Sequence, residues 1–152
     1  MNPELNLKGE GLELPAIESP AFNYLPLSEH NSVIYLAGQL AKIDGKLPNP
    51  GRVVIDVSRE EAARQMQQCA LQALARLKDH CGSLERIKSI LHMNAYVACD
   101  HEFDGISQLA DHASAVFITA FKDRGRHPRS VLGLVRLPQN APVMIDLRVA
   151  IY

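Results

Sequence analysis

The chain has 152 residues, 47% of them hydrophobic and 22% charged, which suffices for one buried core and one domain over residues 1–152. A net charge of −1 argues against a protein that holds nucleic acid mainly by neutralising phosphates, which needs a clear excess of Lys and Arg. No apolar run approaches a membrane span, and "MNPELNLKGEGLELP" carries acids and glycines where a signal peptide needs cations and then an apolar run, so a soluble cytoplasmic protein is expected.

Residues 1–16 read as a short helical or irregular leader ending at Pro15. "SPAFNYLPLSEHN" carries two prolines and several turn formers, and is expected to run as irregular extended chain. "SVIYLAGQLA" is a strand with Gly38 inside it, where a glycine marks a bulge or a close approach of backbone or ligand. The clearest helix start is "DVSREEAARQ": Ser58 caps the backbone and Glu61, three residues on, completes a capping box. Ala62, Met66, Cys69, Ala70, Ala73, Leu74 and Leu77 follow at helical spacing up to Gly82.

"RIKSILHMNAYVAC" alternates with period two, placing Ile87, Leu91, Met93, Ala95, Val97 and Cys99 on a dry face and Lys88, His92, Asn94 and Tyr96 on the other. A second helix is expected over about 102–122. Strands over 129–137 and 143–151 close the domain, the last with Val143, Ile145, Leu147, Val149 and Ile151 inward and Met144, Asp146 and Arg148 outward. One or two strands, helix, strand, helix, strand, strand is an α+β order with two layers and both helices on one side of the sheet. The uncovered face mixes Ile90, Tyr96 and Met144 with Lys88, His92 and Arg148, which suits packing between subunits.

The six histidines form no H-x-H or H-x-x-x-H, and none lies at ligand spacing from a cysteine, so no metal is expected. G-x-S-x-G, P-loop and G-x-G-x-x-G signals are missing. Cys69, Cys81 and Cys99 are an odd set without C-x-x-C and are expected as free thiols rather than nucleophiles. Arg129 stands out. Pro128 fixes the chain ahead of it, so a guanidinium that grips two oxygens at once is presented from a rigid loop–strand junction, a good clamp for a carboxylate. His127, Arg126 and Arg124 read as a solvated basic loop.

Through "SPAFNY", "VIYLAGQL", "DVSREEAARQ", "CALQALARLK", "GSLERI", "AYVA", "RHPRSVLGLVRLP" and "APVMIDLRVAIY", in that order, the chain resembles the Rid family, also called the YjgF or endoribonuclease L-PSP family. It is most similar to a longer subgroup with an N-terminal leader and a "GRHxRSxxG" arrangement. The resemblance implies a chorismate-mutase-like fold, with two helices on one face of a mixed sheet. It also implies a homotrimer, ligand sites between neighbouring subunits, and cofactor-free hydrolysis of reactive 2-imino acids to 2-keto acids and ammonia. By the same resemblance Arg129 is the catalytic-site anchor for the substrate carboxylate, while Tyr24, Gly38 and Val131 lie at the substrate-binding positions, Val131 where many relatives have a cysteine.

Three departures from the family pattern stand out. The family's closing strand carries E-x-E-A, and its first glutamate is thought to orient or activate water; here Met144 stands in that place and only Asp146 remains, in the second. A thioether is no general base, and Asp146 is displaced along the strand by about 6.5 Å at about 3.3 Å per residue. Ala37 replaces the serine common before Gly38, and "ADHAS" lacks an asparagine often found there. Three readings follow: an imine deaminase, a module binding a small carboxylate or keto acid without efficient turnover, and, least supported, an endoribonuclease. The first two need a small-molecule carboxylate and no cofactor or membrane.

Overall fold

The computed structural model describes residues 2–152. Its helices are α1 (Pro3–Gly9), α2 (Arg59–Cys81) and α3 (Ile106–Phe121), and its strands are β1 (Leu27–His30), β2 (Val33–Gln39), β3 (Ile87–Ala98), β4 (Arg129–Leu134) and β5 (Val143–Ile151). The strands form one sheet in the order β1-β2-β5-β3-β4. All neighbouring pairs are antiparallel except β3 and β4, which are parallel and joined through α3, the crossover that a parallel pair requires. This is an α+β chorismate-mutase-like fold, with three helices on a five-stranded mixed sheet.

Half of the expected capping box of α2 is present: Ser58 Oγ accepts from the Glu61 amide at 3.1 Å, whereas the Glu61 carboxylate accepts from Asn49 and Arg64 instead; Gly82 ends the helix in the left-handed region at φ 81°. The buried stripe of α2 meets Val143, Ile145, Leu147 and Val149 of β5 and Ile34 and Leu36 of β2 in the main core. All three cysteines are free; Cys69 and Cys99 are buried, and burial raises the pKa of each of the three thiols.

The leader is structural. Asn2 caps α1 by accepting from the Glu4 and Leu5 amides, and Pro3 opens the first turn, where no amide donor is needed. Seven residues are too few for a helix stable by itself. Docking supplies the rest: Leu7 is 1% exposed in the main core, Asn6 donates to the Ala120 carbonyl at 2.9 Å, and Lys78 pairs with Glu4 at 2.8 Å. A third helix therefore joins the two expected on that side.

Three expectations are corrected. The segment predicted to be irregular before β2 contains β1, an edge strand whose Leu27 pairs with Leu36. In β3 the pairing slips between Ile87 and Ser89 and again between Ile90 and His92, so Ile90 turns inward while Leu91 points out at 40% exposure, reversing the simple alternation. The strand predicted over 129–137 stops at Leu134, whose carbonyl accepts from the Cys99 amide at 2.9 Å. Strand β3 has ended by then, so no partner remains for Val135, which is 75% exposed.

Gly38 sits where the β2–β5 register slips between Leu36 and Gln39. A Cβ on Gly38 would lie 2.6 Å from the Met144 sulfur and 3.1 Å from its terminal methyl carbon, so the thioether occupies the space a side chain would need. Met144 is partly buried against the small cluster of Leu40, Ala98, Leu137 and Ala141. We expect Gly38→Ala to destabilise the fold by about 1–2 kcal/mol through overpacking, and Met144→Ala in the same chain to recover much of that in a double-mutant cycle read by urea unfolding. Leu7→Ala should cost about 2–5 kcal/mol in the same measurement; a cost near zero would show that α1 contributes nothing to the core.

Candidate functional site

Arg129 opens β4, and the backbone ahead of it is already tied to the sheet, because the Pro128 carbonyl accepts from the Met93 amide at 3.1 Å. The side chain turns toward α3. Its Nη1 donates to Ser114 Oγ at 3.0 Å, and its Nη2 donates to the Ser107 carbonyl at 3.1 Å and pairs with Asp111 Oδ1 at 2.8 Å. Residues 107, 111 and 114 recur at helical spacing, so one face of α3 presents the whole polar row to the strand edge. The Arg129 side chain is 23% exposed and that of Asp111 is 71%, so the guanidinium is walled in and its carboxylate partner stands in solvent.

His127 continues this row. Its Nδ1 lies 2.6 Å from the Gly125 carbonyl oxygen and its Nε2 lies 3.0 Å from Ser114 Oγ. A carbonyl only accepts, so Nδ1 carries the proton and Nε2 of the neutral ring is an acceptor. Ser114 then donates its hydroxyl proton to His127 while accepting from Arg129. Burial lowers the His127 pKa from the ordinary 6.5, and the neighbouring Arg129 and His92 lower it further, against an opposing effect of the Gly125 carbonyl. The ring packs edge-on to Phe117 with centroids 5.7 Å apart. Gly125 itself must be a glycine, since a Cβ there would collide with the Phe117 carbonyl.

The solvated basic loop expected over Arg124, Arg126 and His127 is thus largely absent. Arg124 donates to the Ile87 carbonyl at 2.5 Å and lies over the Phe121 ring, His127 is half-buried, and only Arg126 fits the expectation, reaching Asp123 at 3.7 Å from an exposed position.

Tyr24 and Gly38 lie elsewhere. They line a cleft of about 170 Å³ together with Gln39, Lys42, Gln72 and Arg76. Arg76 donates to Gln39 Oε1 at 3.4 Å and to the Glu18 carbonyl, and the buried Gln72 Oε1 has no hydrogen-bond partner. Strands β5 and β3 intervene between β2 and β4, which sets Gly38 roughly 14 Å from the β4 edge at about 4.8 Å per strand. One chain therefore does not bring Tyr24 and Gly38 to Arg129. Val131 stays near Arg129, two residues along β4, and packs partly buried against the main core.

Asp146 lies on the uncovered sheet face with both oxygens engaged, Oδ1 accepting from Asn94 at 3.0 Å and Oδ2 from the Tyr96 hydroxyl at 2.6 Å. Burial, then the Asp146 hydrogen bond and charge, push the Tyr96 pKa up to about 12, so the phenol stays protonated and continues to donate. Asp146 is therefore spent on Tyr96 and Asn94. Ser114, Asp111, Gln72 and Arg76 escape a sequence reading centred on short motifs. Among the described residues no group of three or more His, Cys, Asp and Glu could hold a metal ion, and no helix is long and apolar enough to cross a membrane.

Comparison with known proteins fits this architecture. A curated Trypanosoma cruzi relative, Protein TCP17, is 30% identical over 142 residues, covering 93% of this chain and 89% of its own. The solved structure of Agrobacterium tumefaciens Atu1372, a protein of unknown function, is 34% identical with a TM-score of 0.89, covering 98% of this chain and 91% of its own. A Shewanella oneidensis structure described as a "putative endoribonuclease" is 29% identical with a TM-score of 0.94, covering 99% of this chain and 100% of its own. Escherichia coli TdcF, solved with bound serine, shares the fold at 15% identity and a TM-score of 0.64, covering 91% of this chain and 94% of its own. Residues 4–150 match the family described as "YjgF/chorismate_mutase-like, putative endoribonuclease", and the chain belongs to that family, the Rid family.

Proposed function

We propose that this chain hydrolyses reactive 2-imino acids to 2-keto acids and ammonia without a cofactor, with Arg129 anchoring the substrate carboxylate. One observation carries the reading: Arg129 is held by Ser114 and the Ser107 carbonyl, and its remaining partner is the exposed carboxylate of Asp111. Asp111 occupies the place a substrate carboxylate would take, and an exposed ion pair exchanges at little cost because water and salt screen it. The serine bound in TdcF, a distant relative, is a small carboxylate of the same class.

Tyr24, Gly38 and Val131 complete the proposed substrate site. Because Tyr24 and Gly38 line a cleft toward the opposite sheet edge from Arg129, the site is shared between neighbouring subunits, and a homotrimer supplies the arrangement. The uncovered sheet face, with Tyr35, Leu91 and Leu132 exposed on or beside it, supports that packing. The docked α1 fits the longer subgroup of the family that carries an N-terminal leader.

A second reading, a keto-acid-binding module with little turnover, is favoured by Met144. Its sulfur fills the space beside Gly38, at the position where relatives carry a glutamate, and offers no proton acceptor. An endoribonuclease has weaker support, since a net charge of −1 supplies no excess of cations for a polyanion.

The deciding experiment measures keto-acid formation from an imine generated in place by an amino-acid oxidase. Native chain should accelerate it over the spontaneous reaction, and Arg129→Ala should lower kcat/KM by about 10²-fold, the loss of a charge-assisted hydrogen bond to the carboxylate, with little change in Tm. Retention of the native rate in Arg129→Ala would refute the anchor. No acceleration by native chain that still binds a keto acid, with activity appearing in Met144→Glu, would favour the binding module.

A further inference from the structure

Resting on that reading, we infer that Ser114 and His127 form the proton relay of the site, Ser114 as the catalytic group and His127 as the positioning residue that takes the proton through it. The hydrolysis needs a group that accepts a proton from water and returns one to the departing nitrogen. Met144 has no such capacity, and Asp146 already accepts from Tyr96 and Asn94 on the other face of the sheet. Beside Arg129, by contrast, a serine hydroxyl points its proton at a histidine nitrogen whose tautomer is fixed by a backbone carbonyl. A hydroxyl and a base within hydrogen-bond reach, with the base oriented by a third group, is the arrangement that activates an oxygen nucleophile.

The two terminal nitrogens of Arg129 divide the work. Nη2 holds the carboxylate, now that of Asp111 and in the complex that of the substrate, while Nη1 holds Ser114 Oγ. The planar fork keeps these two partners side by side. A substrate carboxylate on Nη2 therefore places the adjacent imine carbon next to Ser114.

In the addition step the water oxygen bonds to the carbon of the protonated imine, and the C=N electron pair moves to nitrogen. The water proton passes to Ser114 Oγ as the serine's own proton passes to His127 Nε2. The imidazolium then returns a proton through Ser114 to the amine nitrogen. The C–N bond breaks with its electron pair leaving on ammonia, the hydroxyl proton passes through the same relay to His127 as the carbonyl forms, and His127 then gives that proton to ammonia and returns to its neutral form. Water and iminium give a keto acid and ammonium.

The charged and titratable groups around His127 are Arg129 and His92, with Asp111 paired to Arg129 behind them. Both neighbours disfavour the imidazolium, and so does burial. The ring is neutral and able to accept at neutral pH, and once protonated it gives the proton up readily. Activity supported by this base is full above the His127 pKa and falls as pH drops through it, so the acid limb lies below 6.5.

The test compares native chain, Ser114→Ala and His127→Gln in the oxidase-coupled assay, as the ratio of catalysed to spontaneous keto-acid formation across pH, with 2-ketobutyrate binding measured by calorimetry. Both variants should lose about 10²-fold in kcat/KM while binding 2-ketobutyrate within about threefold of native affinity, and His127→Gln should lose the acid limb. A native rate and unchanged acid limb in either variant would overturn the relay and leave the deaminase reading standing. Loss of 2-ketobutyrate binding in step with the rate would also overturn it, by showing that Ser114 and His127 only hold Arg129. Absence of any acceleration by native chain would remove the deaminase reading and the relay together.

Discussion

The parallel pairing of β4 with β3 is the constraint on which the rest depends. Parallel strands cannot be joined by a hairpin, so the chain must cross over, and α3 is the crossover. That helix returns along the strand edge and lays Ser107, Asp111 and Ser114 against the first residue of β4. Arg129 is consequently held by a backbone ladder from behind, through Pro128 and Met93, and by a helix face in front. A long flexible cation becomes a fixed one without being removed from solvent.

The same topology explains why the candidate site is split. The closing strand β5 inserts between β2 and β3, which drives the Gly38 bulge and the Arg129 edge apart. Within one chain the two halves differ: the Tyr24 cleft has Arg76 and an unpartnered Gln72 oxygen, and the β4 edge has a cation paired with an exposed carboxylate. The glycine belongs to the packing of its own half, because Met144 rests where its side chain would be. Gly38 and Met144 are thus one steric unit, and the methionine is as much a filler of the bulge as a replacement for an acid.

Elements that declare themselves by local chemistry were legible in the sequence: the Ser58 cap, the Gly82 terminus, the alternation of β5, and the α+β layering. The misreadings share a physical cause. Period-two alternation assumes one residue per rung, and the slips at Ile87 and Ile90 in β3 break that assumption, so Leu91 and Ile90 exchange faces. The alternation makes β4 look too long, because the apolar pattern continues to Leu137 while the partner strand does not. Edge strand β1 does not show in the sequence, because pairing between Leu27 and Leu36 is a tertiary fact with a weak local signature. At the site, Pro128 and Arg129 announced a rigid cation, whereas His127 read as surface because its partners, Ser114 and Phe117, arrive from a different element.

That difference bears on how such a site can change. A carboxylate on β5 is a general base only while nothing else claims it, and in this chain Tyr96 and Asn94 claim the surviving one. The phenol, raised to about 12, does not release its proton to free that acid. In the proposed deaminase, proton transfer then falls to a neutral base that lies next to Arg129. The β4 edge holds such a group, because burial and the neighbouring cation keep His127 neutral while Gly125 orients it. On the proposed reading, the cation that binds the carboxylate also tunes the base beside it, so that anchor and relay would arise from one placement of α3 against β4.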